Sequence, residues 1–142
     1  MHDTMIHLNG VGIAAPQVGA FVRVFMFGFD HNPRYPEEEA IPFTILINPK
    51  IEILTNVRKS EWEGCLSVPG IRGLVPRYTK LRYSGFDPKG NPISGMAQDF
   101  HARVVQHEND HVDGFLYHRR IKDLRNFGFE DELHKEGYEP TK

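Results

Sequence analysis

Apolar positions recur in short runs separated by polar or proline-glycine breaks for about the first hundred residues, and only then settle into a helical period. Met1, Met5 and Leu8 share one helical face and Asn9-Gly10 supplies a stop, which predicts a short helix reading as the closing turns of a longer one. "GVGIAAPQVG", residues 10–19, reads as a glycine-rich loop, and "FVRVFMFGF" as a strand. "HNPRYPEEEAIP" carries three prolines and predicts a loop. "FTILINPKIEIL" reads as two short strands broken at Asn48-Pro49. "GIRGLVPRYTKLRYSGF" supplies two more, with Pro76 at an end or edge because proline cannot donate to a ladder. "DPKGNP" is a turn, and "ISGMA" its hairpin partner.

From Asp99 to Val112 the spacing predicts a helix, followed by "IKDL" and a charged tail, residues 126–142, that reads as a short fraying helix. The pattern gives an α+β fold in which short antiparallel strands pack around one central helix. At 142 residues the chain is expected to form a single domain, 1–142.

Charge adds exclusions. Seventeen basic residues face 19 acidic ones, and the pI is 6.4. That balance lacks the basic face of a nucleic-acid binder. No apolar run is long enough to span a membrane, and the first residues lack the apolar core of a signal peptide. With one cysteine, Cys65, the expected compartment is a reducing cytoplasm.

The helix carries the chemistry. "QHENDH" contains His107, Glu108 and His111 in the H-E-x-x-H pattern. Residues four apart are separated by ~400° of rotation, so both imidazoles leave the same face and can reach one metal ion. Phe100 and Val104 fall on that face, and Val105 and Val112 flank it. Arg103, Gln106, Asn109 and Asp110, with Ala102 and Asp113, fall on a polar side. A buried Glu108 would be costly unless it handles a proton or faces a cation.

Two histidines leave a catalytic metal one protein ligand short. Glu130 or Glu132 downstream would complete an endopeptidase-type site. Cys65 upstream, with Gly64 permitting close approach, would supply a soft thiolate. Spacing leaves both open, beside the plainer reading of two core histidines bonded to carbonyls.

Three segments, "GVGIAAPQ", "EGCLS" and "QHENDH", resemble in content and order the signature motifs of the peptide deformylases, and the likeness runs from about Met5 to Tyr117. The resemblance implies removal of the formyl group from the N-terminal methionine of nascent polypeptides. It implies Cys65, His107 and His111 as ligands to ferrous iron, with zinc, nickel or cobalt able to substitute. It makes Glu108 the general acid/base, and places Gln17 and the backbone N–H of Leu66 in an oxyanion hole. Val11 and Gly12 would pair with the substrate backbone, Glu63 and Arg72 would lie near the substrate, and Val11, Phe100 and Val104 would line a methionine pocket.

The family normally has a longer segment ahead of the glycine loop. Its tail in some relatives is basic, whereas "FEDELHKEG" is acidic, so ribosome association through it is not supported. A monomer is expected, with no nucleic-acid or membrane partner. Trp62 reads as a core or loop anchor, and His101 and His118 as structural. The competing readings are an H-E-x-x-H endopeptidase, and a relative that binds peptide without turning it over.

Overall fold

The computed structural model describes residues 1–133. Helix α1 (His2–His7) leads into strand β1 (Gly12–Ala14) and a 3-10 turn over Ala15–Val18. Strands β2 (Val24–Phe29), β3 (Ile41–Ile53), β4 (Arg58–Cys65), β5 (Val68–Tyr78), β6 (Lys80–Phe86) and β7 (Pro92–Gln98) follow, then helix α2 (Asp99–Val112). Two further 3-10 turns precede β8 (Phe127–Phe129) and helix α3 (Glu130–Leu133).

One antiparallel sheet has the order β1-β2-β3-β6-β7, and a second the order β4-β5-β8. Helix α2 packs on the first sheet and reaches β5 of the second. Phe25, Phe27, Leu46 and Leu81 of the first sheet are fully enclosed, with Ala102 and Val105 of α2 in the same cluster. A smaller cluster joins Cys65, Val75 and Tyr117. The α+β arrangement around an H-E-x-x-H helix is thus the one observed.

Helix α2 has the predicted bounds. Asp99 places a carboxylate in its first turn, favourable at the positive end of the helix dipole. Gly114, at φ +83°, terminates it just beyond His111, and Phe115 N–H caps the Asp110 carbonyl at 2.7 Å.

Several local expectations are corrected. The glycine-rich stretch contains a strand: β1 pairs with β2, Gly12 facing Phe27, because three consecutive small or branched residues are buried there. The break at Asn48-Pro49 is instead an irregularity in one bent strand. Asn48 adopts φ +51°, its N–H donates to Arg23 O at 2.9 Å, and β3 changes partner from β2 to β6 around it. The strand expected from Phe21 begins at Val24, and Phe21 is 89% exposed. Strands β4 and β8 carry no clean apolar alternation and are found through pairing with β5. Of the tail, Glu130–Leu133 is helical, and 134–142 lies outside the described residues. Pro76 sits near the end of β5, beyond the reach of β8.

Candidate active site

Strand β4 presents Glu63 and Cys65 on one face, as a period of two requires, and both are buried. The chain turns at Leu66 and Ser67 and returns as β5, with Cys65 opposite Val68. That hairpin end meets the helix face bearing His107 and His111. One donor atom from each of Cys65, His107 and His111 lies within 4.8 Å of the others. Cys65 Sγ is 3.4 Å from His111 Nε2.

Behind the donors stands a buried ion network. His107 Nδ1 is 3.0 Å from Glu63 Oε2, which leaves Nε2 for the metal side. Arg77 donates to both Glu63 oxygens, at 2.9 and 3.0 Å, and to Asp110 at 2.6 Å. Arg103 Nη1 donates to Glu63 at 2.7 Å, and Arg120 donates to Asp110 at 2.7 Å. The expected polar side of α2 is therefore not a solvated one: Ala102, Arg103 and Asp110 are buried, and the charges are met by Glu61, Glu63 and Arg77 across the interface. Helical periodicity assigns directions, but the partners that bury a charge come from distant strands.

The electrostatics follow from this packing. Burial opposes ionisation of Cys65, but hydrogen bonds with His107 and His111 outweigh it and bring the thiol down to about 5. Burial likewise opposes charge on Glu63, but Arg77 beside it and the bond to His107 hold its carboxyl far below the usual range. Glu108 differs. Burial pushes it up to about 7 against the pull of His107 and His111, and its Oε2 has no hydrogen-bond partner among the described residues.

Gln17 folds back so that its Oε1 accepts from Ala14 N at 2.9 Å. Its amide nitrogen points at Ser67 Oγ, 3.0 Å away, with Cys65 Sγ at 3.9 Å. A cleft of about 520 Å³ opens over these groups, lined by Val11, Gly12, Leu66, Phe100 and Val104 among others.

A family model described as polypeptide deformylase matches residues 1–127. The chain belongs to that family. It is 58% identical over 133 residues to peptide deformylase 1 of Nitrosomonas europaea, covering 94% of this chain and 76% of that relative. Its identity to peptide deformylase 2 of Ralstonia nicotianae is 55% over 136 residues, 96% and 77% of the two chains. The fold is similar, with TM-score 0.81 and 41% identity, to a Met-Ala-Ser-bound class I type b peptide deformylase from Acinetobacter baumannii, over 85% of this chain and 76% of that one. Deformylases are metalloenzymes, and the thiolate-imidazole set found here suits one metal ion.

In this deformylase the expected residues divide in two groups. Cys65, His107, His111, Glu108, Gln17, Leu66, Val11, Gly12, Glu63, Phe100 and Val104 all lie at the cleft or its metal corner. Arg72 does not line it. It borders an adjoining hollow of about 570 Å³, where its Nε donates to Glu130 Oε1 at 2.7 Å. Trp62 lines the cleft from β4. His101 rests against the rings of Phe27 and Tyr83, and His118 against Tyr117 and Phe127.

Sequence reading missed Arg77, Asp110 and Tyr117 as supports of the site. Tyr117 stacks on His107 at 6.1 Å between centroids and donates to Ile71 O at 3.0 Å. It missed Tyr35 as well, whose ring meets Phe100 at 4.8 Å. Arg77, Tyr117 and Tyr35 lie outside the three signature segments, and Asp110 lies within "QHENDH" but reads there only as part of a polar side; only charge accounting for a buried Glu63 hints at Arg77.

Proposed function

We propose that this deformylase hydrolyses the N-formyl group from the N-terminal methionine of nascent polypeptides, releasing formate. The observation that carries the reading is the donor triangle of Cys65, His107 and His111 beside the buried carboxylate of Glu108, one oxygen of which has no hydrogen-bond partner among the described residues. A thiolate and two imidazoles fit ferrous iron, with zinc, nickel or cobalt as substitutes. A metal held there would polarise the formyl oxygen and make water acidic enough to serve as nucleophile near neutral pH.

The chain's own residues do the rest. Glu108, raised to about 7, takes a proton from the attacking water and returns one to the leaving amine. Gln17 offers its amide N–H, and Leu66 its backbone N–H, where negative charge gathers on the former carbonyl oxygen. Glu63 fixes the His107 ring and is itself fixed by Arg77 and Arg103. Gly12 opens strand β1, an edge of its sheet, which supports the reading that Val11 and Gly12 receive the substrate backbone as an added strand. Val11, Phe100 and Val104 supply the apolar wall for methionine. Arg72 acts farther along the peptide, from the adjoining hollow.

An endopeptidase reading needs Glu130 or Glu132 at the metal. Among the described residues the donor cluster is Cys65, His107 and His111, and Glu130 is paired with Arg72. We read residues 1–142 as one domain acting as a monomer in the cytoplasm. No helix among the described residues is long and apolar enough to cross a membrane.

The test is formate release from a formyl-Met-Ala-Ser peptide by protein loaded with ferrous iron under anaerobic conditions. Release at a rate that follows metal content supports the function. No release by folded, metal-loaded protein overturns it.

A further inference from the structure

Three arginines line the cleft and the hollow beside it: Arg34, Arg72 and Arg103. Two are neutralised. Arg72 is bonded to Glu130, and Arg103 to Glu61, Glu63 and the carbonyls of Lys59 and Val75. Arg34 borders both spaces, yet among the described residues its guanidinium makes no hydrogen bond or ion pair. Its recorded ring contact is with the adjacent Tyr35, at 5.6 Å.

This guanidinium is not a loose surface group. The N–H of Arg34 donates to Oδ1 of the buried Asn32 at 2.9 Å, and Asn32 Nδ2 donates to Asn9 O at 3.0 Å. On the other side, Tyr35 packs on Phe100 of α2. The loop is thereby tied to the glycine segment and to the helix bearing the metal donors. A Cβ on Gly64 would stand 3.6 Å from Arg34 Nη2, so the fork lies over the strand segment that leads to Cys65.

We propose that Arg34 is a specificity residue, selecting formylated peptides with an acidic side chain at one of the two positions after methionine. The inference rests on the deformylase reading and deepens it. The cleft and the hollow share a boundary at Arg34, Gly64, Cys65 and Leu66, and a peptide with its formyl group at the donor triangle and its methionine on the apolar wall would continue across it. The group at that boundary is a planar cation whose side-chain donors are unused among the described residues, and its geometry suits a carboxylate better than a neutral amide. Half-burial protects the pair from full screening, and the fixed loop reduces the entropy of forming it.

The experiment compares formyl-Met-Ala-Ala, formyl-Met-Glu-Ala, formyl-Met-Ala-Glu and formyl-Met-Lys-Ala, all as C-terminal amides, on the full metal-loaded chain. Amidation leaves the glutamate side chain as the only carboxylate. At low salt, one glutamate peptide should exceed the neutral peptide about fivefold in kcat/KM, chiefly through KM. Arg34→Gln should bring that ratio toward one, Arg34→Glu should favour the lysine peptide, and added salt should shrink the wild-type ratio.

Equal rates on acidic and neutral peptides in the wild type overturn the inference alone. So does a preference that survives Arg34→Gln, or an equal loss on every peptide in that variant. If the folded, metal-loaded protein releases formate from none of them, the deformylase reading fails and takes this one with it.

Discussion

The bare backbone of Gly12 lies against the carboxylate of Glu108: a Cβ at that position would stand 2.6 Å from Oε1 and 2.8 Å from Cδ. The edge strand and the helix are thus fitted so closely that the smallest side chain displaces the buried acid. Gly12→Ala should lower kcat/KM for a formyl-Met peptide by about 10²-fold, the scale of a misplaced reacting group, while leaving metal content unchanged. Metal analysis beside formate assays separates the two quantities. A variant with full activity would show that Glu108 can shift without consequence.

Donor and acid should separate under mutation. Cys65 belongs to the donor triangle, whereas Glu108, beside His107 in the chain, is buried with one oxygen that has no hydrogen-bond partner among the described residues. Cys65→Ala should lose tightly held metal and activity together. Glu108→Gln should keep the metal and lose turnover, because an amide of similar shape cannot accept and return a proton. Metal retained in full by Cys65→Ala would remove the thiolate from the ligand set.

Glu63 joins stability to the site. It accepts from Arg77 and Arg103 and meets His107, and its removal leaves two buried guanidinium groups short of a counter-charge. Glu63→Gln should destabilise the fold by about 3–5 kcal/mol, the usual result of breaking a buried ion network from one side. It should also weaken metal binding by about 10–100-fold through the loosened His107 ring. Urea unfolding of the metal-free protein measures the first effect and competitive metal titration the second. Unchanged unfolding would mean that the arginines find other partners.

Much of this site was legible because its parts are local. Helix period alone puts His107, His111, Phe100 and Val104 on one face, and a helix over Asp99–Val112 is what folds. The third donor was not legible from spacing, since Cys65 and Glu130 are both plausible in sequence and only the β4–β5 hairpin brings one to the helix. Arg103 and Asp110 show only a polar side in sequence, and their burial was not legible for a related reason. A charge can be buried when distant strands supply Glu63 and Arg77, and no window of sequence contains both partners. Strand β3 shows the limit for backbone as well. Asn48-Pro49 has the chemistry of a break, but pairing on both sides turns it into a bend.

A last expectation concerns acid. His101 projects from α2 between Phe27 and Tyr83, with ring centroids 5.4 and 5.8 Å away, and its buried Nε2 has no partner among the described residues. Burial lowers its pKa from the ordinary 6.5. Between the lowered value and 6.5 the unfolded chain binds more protons than the folded one, so stability must rise with pH across that window. The full contribution is present above 6.5 and is lost as pH falls toward the folded value. Urea midpoints at about pH 7.5 and about pH 5.5 should therefore differ in the wild type. In His101→Phe, whose ring suits the aromatic surroundings, the difference should shrink. The same drop in both proteins would assign the acid sensitivity to other groups and mean that His101 binds protons equally in the folded and unfolded chains.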